Sequence, residues 1–312
     1  MENPPPSPGC VRLSLQRKKI KQTQRKTMKR QDSRTQDSAP AVIGGVGGSG
    51  TRLIAQCLKE AGFHIGTDLN KANDNLWFTL LFKRIEILSA SEEEFDELLR
   101  IFIKGMTGST TFSRHQVSLI ESLSSKDREQ HPSLWLKKRA ETLLSQTAAM
   151  NPDERWGWKE PNSHIVLDRL FDRVENMKYI HVTRNGLDMA YSKNQNQLRL
   201  WGSHFINGTV DETPHYSLKY WCIIHERVLH IGKSMGENFL FLNYDEFCMN
   251  PEIGLKKLFR FLGIDIESLL PKLVALVSPP DSIGRFKKHS TEIFSAKDIA
   301  FVKSLGFDVG SR

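Results

Sequence analysis

A short apolar run that opens into a cluster of glycines limits this chain more than any other stretch. In Ala41-Val-Ile-Gly-Gly-Val-Gly-Gly-Ser-Gly-Thr-Arg-Leu53, Ala41 to Ile43 read as a buried strand. Gly44, Gly45, Gly47, Gly48 and Gly50 then form a loop, and a helical pattern runs from Thr51 to about Ala61. Glycine lets loop N–H groups turn inward. The helix N-terminus adds unpaired donors and partial positive charge. Ser49 and Thr51 bring hydroxyls, and Arg52 brings a permanent cation. The ligand expected of Gly47, Gly48, Ser49, Gly50, Thr51 and Arg52 is a phosphate or a phosphate-like group. A glycine-rich turn without a ligand would need fewer glycines and no such polar set.

The loop departs from the nucleotide-triphosphate pattern G-x-x-x-x-G-K-[ST]. Counted from Gly45, the second glycine is Gly50, and Thr51 stands where the lysine belongs. A P-loop nucleotide kinase or other NTPase is therefore the alternative reading, and it requires ATP and Mg²⁺.

At 312 residues the chain suits one large α/β domain or two small ones. No run reaches the ~18 apolar residues that span a bilayer. The N-terminus has no signal-peptide pattern. A cytoplasmic address is expected on both grounds. Cys10, Cys57, Cys222 and Cys248 are scattered without a C-x-x-C pair, so free thiols are expected rather than a disulfide or zinc framework. The net charge of +8 is uneven. Residues 1–38 hold ten Lys and Arg against three Asp and Glu, while residues 39–312 are close to neutral. That argues against specific nucleic-acid binding as the main function. Residues 1–38, with Pro4-Pro5-Pro6 and Arg17-Lys-Lys19, read as a disordered basic arm. The arm suits a solvated tail, a contact with acidic surfaces, or a targeting segment. Oligomeric state is left open.

Residues 39–312 then read as one domain. Gly62 to Gly66 suggests a short strand and turn. Helical patterns cover Leu76 to about Leu88, Glu92–Lys104 and Pro132 to about Ala149, with Gly105 to His115 loop-like. This region, about residues 73–150, reads either as an insertion covering a substrate site or as a helical layer packed on the sheet. A strand pattern returns at Arg155–Lys159, followed by a helix from Ile165 to about Arg173. Lys178–Thr183 is a strand leading into a helix through Met189 and Ser192. Pro214 to about Ser234 is a helix, and Phe239–Tyr244 is the last strand. Asn250-Pro251 opens a helix that runs to about Leu262 and ends at Gly263. Strands alternating with helices imply a parallel sheet covered on both faces. Ligands in such sheets bind beyond the carboxyl ends of the strands. Those ends carry Gly44–Arg52, Lys159-Glu160, Thr183-Arg184 and Asn243-Tyr244-Asp245.

At these residues the chain resembles the sulfotransferase superfamily, which uses 3′-phosphoadenosine-5′-phosphosulfate (PAPS). Gly44–Arg52 looks like the 5′-phosphosulfate loop, and Trp158-Lys-Glu-Pro161 is similar to the family's K-x-P segment. Tyr179–Arg184 with Ser192 looks like the 3′-phosphate motif. Leu242–Phe247, Asn250-Pro251 and Phe261-Leu-Gly263 resemble the late strand and helix. Ser282-Ile-Gly-Arg285 resembles a C-terminal segment that closes on the nucleotide. The resemblance covers about residues 41–290. It implies a P-loop-NTPase-like sulfotransferase architecture, PAPS as co-substrate, no metal, and a small-molecule or carbohydrate acceptor.

It also implies that Ser49, Gly50, Thr51 and Arg52 hold the 5′-phosphosulfate and that Arg184, Ser192 and Arg285 hold the 3′-phosphate. The family usually has Lys or Arg immediately before Ser-Gly-Thr, and here that residue is Gly48. Arg52 or Lys159 would then supply the missing charge. If neither reached the bridging oxygen, the chain would be a non-catalytic PAPS- or PAP-binding protein. Asp74, Glu160 and His64 are the candidate general bases. Asp74 reads equally as a helix N-cap, Glu160 as the partner of Lys159, and His64 as a core histidine. Trp77, Trp156, Trp158, Trp201 and Trp221 read as core or pocket-wall residues.

Overall fold

The computed structural model describes residues 39–108, 111–146, 149–151, 154–206 and 208–310. The basic arm of residues 1–38, including Cys10, lies outside the described residues.

Four parallel strands form the centre, in the order β2-β1-β3-β4. They are β1 (Ala41–Gly45), β2 (Gly157–Lys159), β3 (Lys178–Thr183) and β4 (Phe239–Asn243). β1 pairs with β2 from Ala41↔Gly157 and with β3 through Gly45↔Val182, and β3 pairs with β4 through Thr183↔Asn243. Side chains alternate across the sheet. Val42 and Tyr179 enter one core; Ala41, Ile43, Ile180, Val182, Leu240 and Leu242 enter the other. Helices on both faces bury the central strands, which explains the apolar residues on both faces of β1 and β3.

The second core is closed by α1 (Thr51–Glu60). On the first face lie α2 (Leu76–Phe82), α3 (Glu92–Thr107), α4 (Arg114–Ser124) and α5 (Ser133–Leu144). This helical region is joined to the sheet by aromatic packing. Phe102 meets Trp158 edge-on at 5.1 Å, and Phe78 stacks on it at 6.1 Å. The chain continues through α6 (Leu167–Phe171), α7 (Gly186–Ala190), α8 (Asn196–Phe205), α9 (Pro214–Met235), α10 (Tyr244–Met249), α11 (Pro251–Leu262), α12 (Leu270–Val274) and α13 (Ala296–Ser304). α11 ends at Gly263, whose φ of 73° is the left-handed C-cap expected of a glycine there.

Several boundaries differ from the sequence reading. Residues 62–66 make only the bridge His64↔Trp156, because Gly62 and Gly66 at φ 83° and 109° interrupt an extended chain. α2 stops at Phe82 and a separate 3₁₀ turn follows at Ile85–Leu88. The reason is Arg128, whose guanidinium takes the carbonyls of Thr79, Leu80 and Lys83 at the helix end. α5 is shorter than Pro132–Ala149, ending at Leu144 with Ser145 as its cap. The helix expected over Ile165–Arg173 is a 3₁₀ turn, Pro161–Val166, followed by the short α6. α4 begins inside the presumed Gly105–His115 loop, secured by a capping box between Ser113 and Gln116. The five tryptophans Trp77, Trp156, Trp158, Trp201 and Trp221 are all buried, and so are Cys57, Cys222 and Cys248 as free thiols.

The first core contains three fully buried histidines. His181 of β3 lies 6.0 Å from His164 and 5.1 Å from His225 between ring centroids. Burial pushes His164 down to about 3, His225 down to about 4, and His181 well below its ordinary value. Below pH ~6.5 the unfolded chain takes up protons that the folded protein refuses, so stability is complete above that pH and falls toward pH 4. Each such histidine contributes a slope of up to about 1.4 kcal/mol per pH unit. Urea midpoints should therefore drop steeply between pH 6.5 and 4.5, and His225→Phe should flatten the drop. A midpoint independent of pH over that range would contradict the neutral cluster.

Candidate functional site

The carboxyl ends of the four strands carry the polar residues. β1 exits into Val46–Gly50, and Gly50 caps α1 with φ 95°. Gly48 also takes a left-handed φ of 93°. Between Gly47 and Gly50, only Ser49 among the described residues uses its N–H on another backbone group, the Val46 carbonyl at 3.0 Å. The N–H groups of Gly47, Gly48, Gly50, Thr51 and Arg52 make no such bond among the described residues and remain available to an anion, whereas that of Leu53 is taken by the Gly50 carbonyl at 3.1 Å. Ser49 Oγ is buried and without a partner, and so is Thr183 Oγ1 at the end of β3. Buried hydroxyls left unpaired are costly unless a ligand or water completes them.

The remaining elements close a ring of contacts beginning and ending on this loop. Tyr244, opening α10 after β4, packs on Gly50 so closely that a Cβ there would fall 2.2 Å from its ring. Arg184 follows β3, with its guanidinium 5.6 Å above the Tyr244 ring. Its Nε donates to Asp245 Oδ1 at 3.1 Å and its Nη2 to Ser282 Oγ at 2.7 Å. The segment after Ser282 is held to α7 by Asp188, which accepts from the N–H groups of Gly284 (2.8 Å) and Phe286 (2.9 Å). Burial raises the Asp188 pKa against the lowering effect of these two bonds. Arg285 donates to the Tyr191 carbonyl at 3.2 Å. Ser192, next in the chain, faces Gly48, where an added Cβ would lie 3.8 Å from its hydroxyl. Gln195 orders this turn by donating to the Met189 and Ser192 carbonyls.

Lys159 and Asp74 form a second group at the end of β2. They make a short ion pair with the lysine almost fully buried. Lys159 also donates to the Ala72 carbonyl at 3.1 Å, and Asp74 Oδ2 accepts from Asn70 at 2.7 Å. Two sequence expectations are corrected here. Asn75, not Asp74, caps α2, because its side chain accepts from Phe78 N–H at 3.0 Å. Glu160 is not the partner of Lys159; it caps the following turn and bonds both nitrogens of Asn162. Its carboxyl is raised, chiefly by burial. His64 is half-buried and bridges to the strand at Trp156 through its backbone, with burial lowering its ring pKa. Arg52 stands exposed on the first turn of α1 and bonds no other described residue.

The structure thus brings together the glycine loop, Arg184, Ser192 and Arg285, and separately pairs Lys159 with Asp74. Sequence reasoning missed Ser282 and Asp245 as the holders of Arg184, Asp188 as the anchor of the C-terminal segment, and Gln197. His131 was missed too. It stacks on Trp135 at 4.4 Å, and burial beside Lys83 and Arg128 pushes it down to about 4. Among the described residues no cluster of His, Cys, Asp and Glu could hold a metal ion, and no helix is long and apolar enough to cross a membrane.

Residues 40–268 match a family model described as "Sulfotransferase family". No curated protein matches the chain significantly. Among solved structures, the sulfotransferase domain of the Synechococcus PCC 7002 olefin synthase aligns with 88% of this chain and 98% of its own, at 16% identity and a TM-score of 0.48. The sulfotransferase domain from the curacin biosynthetic pathway aligns over 88% and 99% at 15% identity and 0.48. Sulfotransferase STF9 from Mycobacterium avium aligns over 88% and 78% at 15% identity and 0.46.

Proposed function

The chain belongs to the sulfotransferase family, and from that premise we propose that it transfers a sulfuryl group from PAPS to a hydroxyl or amine of a small-molecule or carbohydrate acceptor. The observation that carries this reading is the presence of two anion-accepting groups at the strand ends. One is the glycine loop with its open N–H groups and the unpartnered Ser49 hydroxyl. The other is Arg184 with Ser282. A nucleotide phosphorylated on both sides of its ribose needs two such places.

PAPS, once bound, would bring the sulfuryl group and leave as the 3′,5′-bisphosphate, PAP. The loop residues Gly47 to Arg52 would hold its 5′ end. Arg184, Ser192 and Arg285 would hold the 3′-phosphate through charge-assisted bonds. The demands on the protein are in-line positioning and neutralisation of the leaving phosphate. Arg52 and Lys159 would supply that charge in place of the cation missing at Gly48. Asp74 would take the acceptor proton once one of its bonds to Lys159 or Asn70 is displaced, and Glu160 is the other carboxylate near Lys159. The helices of residues 76–144 would shape the acceptor pocket.

Arg52→Ala tests the charge assignment cleanly, because its exposure and lack of partners leave stability unchanged. Turnover with PAPS should fall about a hundredfold, in line with the loss of one transition-state donor. Wild-type turnover in Arg52→Ala would remove this residue from the mechanism. The absence of turnover in the wild type, with PAP still bound, would favour the non-catalytic reading that Gly48 keeps open.

A further inference from the structure

We propose that Gln197 is a positioning residue for the glycine loop, acting on the Gly45 carbonyl without touching the ligand. The inference deepens the sulfuryl-donor reading above and rests on it for its affinity readout. In a parallel ladder, successive carbonyls of a strand point to opposite sides, so those of Ile43 and Gly45 share the β2 side of β1. Ile43 O is satisfied there by Glu160 N–H at 3.2 Å. β2 ends at Lys159, so two residues further on there is no strand to meet Gly45 O. Gln197 fills that place: its Nε2 donates to Gly45 O at 3.1 Å. The side-chain amide adds one rung to the sheet at the point where β1 becomes the loop.

The amide is itself held. Gln197 is 5% exposed, and its Oε1 lies 3.0 Å from Nε2 of the fully buried His164. With Nε2 of Gln197 donating to a carbonyl, its Oε1 must accept, which assigns the His164 proton to Nε2. A polar relay therefore runs from His164 through Gln197 to the loop. Its purpose follows from the glycines beyond it. A chain of this composition has little conformational preference of its own, and an unpinned carbonyl could rotate toward a bound anion and repel it. Pinning Gly45 O fixes the exit of the loop and aligns its N–H donors before the ligand arrives, which is where such donors gain their value.

The experiment uses the full chain and PAP as probe. Gln197→Met keeps the volume and removes the donor, whereas alanine would enlarge the small cavity of about 10 Å³ behind Gly47 and admit water. In Gln197→Met, PAP affinity should fall about tenfold, and amide hydrogen exchange should accelerate at residues 45–51 without spreading through the sheet. Gln197→Glu gives a conservative rescue: its neutral acid can donate to Gly45 O and its carboxylate cannot. Its PAP affinity relative to wild type should therefore rise from pH 7.5 to 5.5, while that of Gln197→Met stays flat. Unchanged affinity and exchange in Gln197→Met overturn the proposal, and so does acceleration spread evenly over the molecule, which is the mark of a purely structural role. If the wild type itself does not bind PAP, the donor reading falls instead, and the local exchange comparison alone decides on Gln197.

Discussion

Arg184→Ala should weaken PAP binding by about a hundredfold or more, since charge-assisted bonds to a phosphate are worth ~1.5–3 kcal/mol each. Arg184 is the junction of three segments. It joins the end of β3 to Asp245 after β4 and to Ser282 of the C-terminal segment. Both side chains of the Arg184–Asp245 pair are largely buried, 10% and 14% exposed. Removing the arginine leaves the Asp245 carboxylate without its cation, a loss of about 3 kcal/mol for a buried pair. Asp245 still accepts from the Asn185 N–H at 2.9 Å, so the turn after β3 keeps one of its ties. Arg184→Lys should not restore binding, because a lysine cannot span Asp245 and Ser282 with one planar fork. The double variant Arg184→Ala/Asp245→Ala separates the two effects by calorimetry and urea melts. Stability should recover in it, and PAP binding should not. Recovery of binding would show that Arg184 serves only the fold.

Gly50→Ala should be nearly as damaging, for a different reason. A Cβ there would lie 2.2 Å from two carbons of the Tyr244 ring, and φ of 95° is a conformation side chains rarely adopt. Left-handed strain costs about 1–2 kcal/mol. Displacing a packed ring adds about 1–3 kcal/mol. The loop can escape only by moving Gly50 away from Tyr244, which takes the N-terminus of α1 with it. Loss of PAP binding should therefore accompany a fall in melting temperature of roughly 5 °C or more. Tyr244→Leu in the same chain should return part of the stability, because it opens space above Gly50. It should not return the part due to φ. A Gly50→Ala protein with unaltered melting and binding would mean that the loop is not held between Tyr244 and the sheet.

The parts legible in the sequence are those whose cause is local. The glycine loop announces itself by composition, β4 by its apolar run Phe239–Leu242, and β3 by a mostly apolar stretch that only His181 interrupts. α11 is framed by a proline at its start and Gly263 at its end. Even α4 carries a sign, the Ser113…Gln116 capping box, although the residues before it are polar and loop-like. What stayed hidden depends on distance along the chain. Lys159 meets Asp74 across 85 positions and Arg184 meets Ser282 across 98, and no periodicity encodes such pairings. Asp74 and Asn75 both have a capping side chain at the start of α2, and only contact decides between them: the Asn75 side chain accepts the Phe78 N–H. Gln197 sits in a helix whose start has no strong cap and whose polar residue has no motif around it. Its role exists only because β2 stops at Lys159 and leaves a carbonyl to be met.

Calorimetric titration of the full chain with PAP, set against ATP with Mg²⁺ and repeated on Arg184→Ala, tests the proposed two-phosphate site most directly. The proposed site predicts binding of PAP that Arg184→Ala weakens by about a hundredfold or more, with no comparable response to ATP–Mg²⁺. Binding of ATP–Mg²⁺ with none of PAP would contradict it and return the chain to the kinase or NTPase reading.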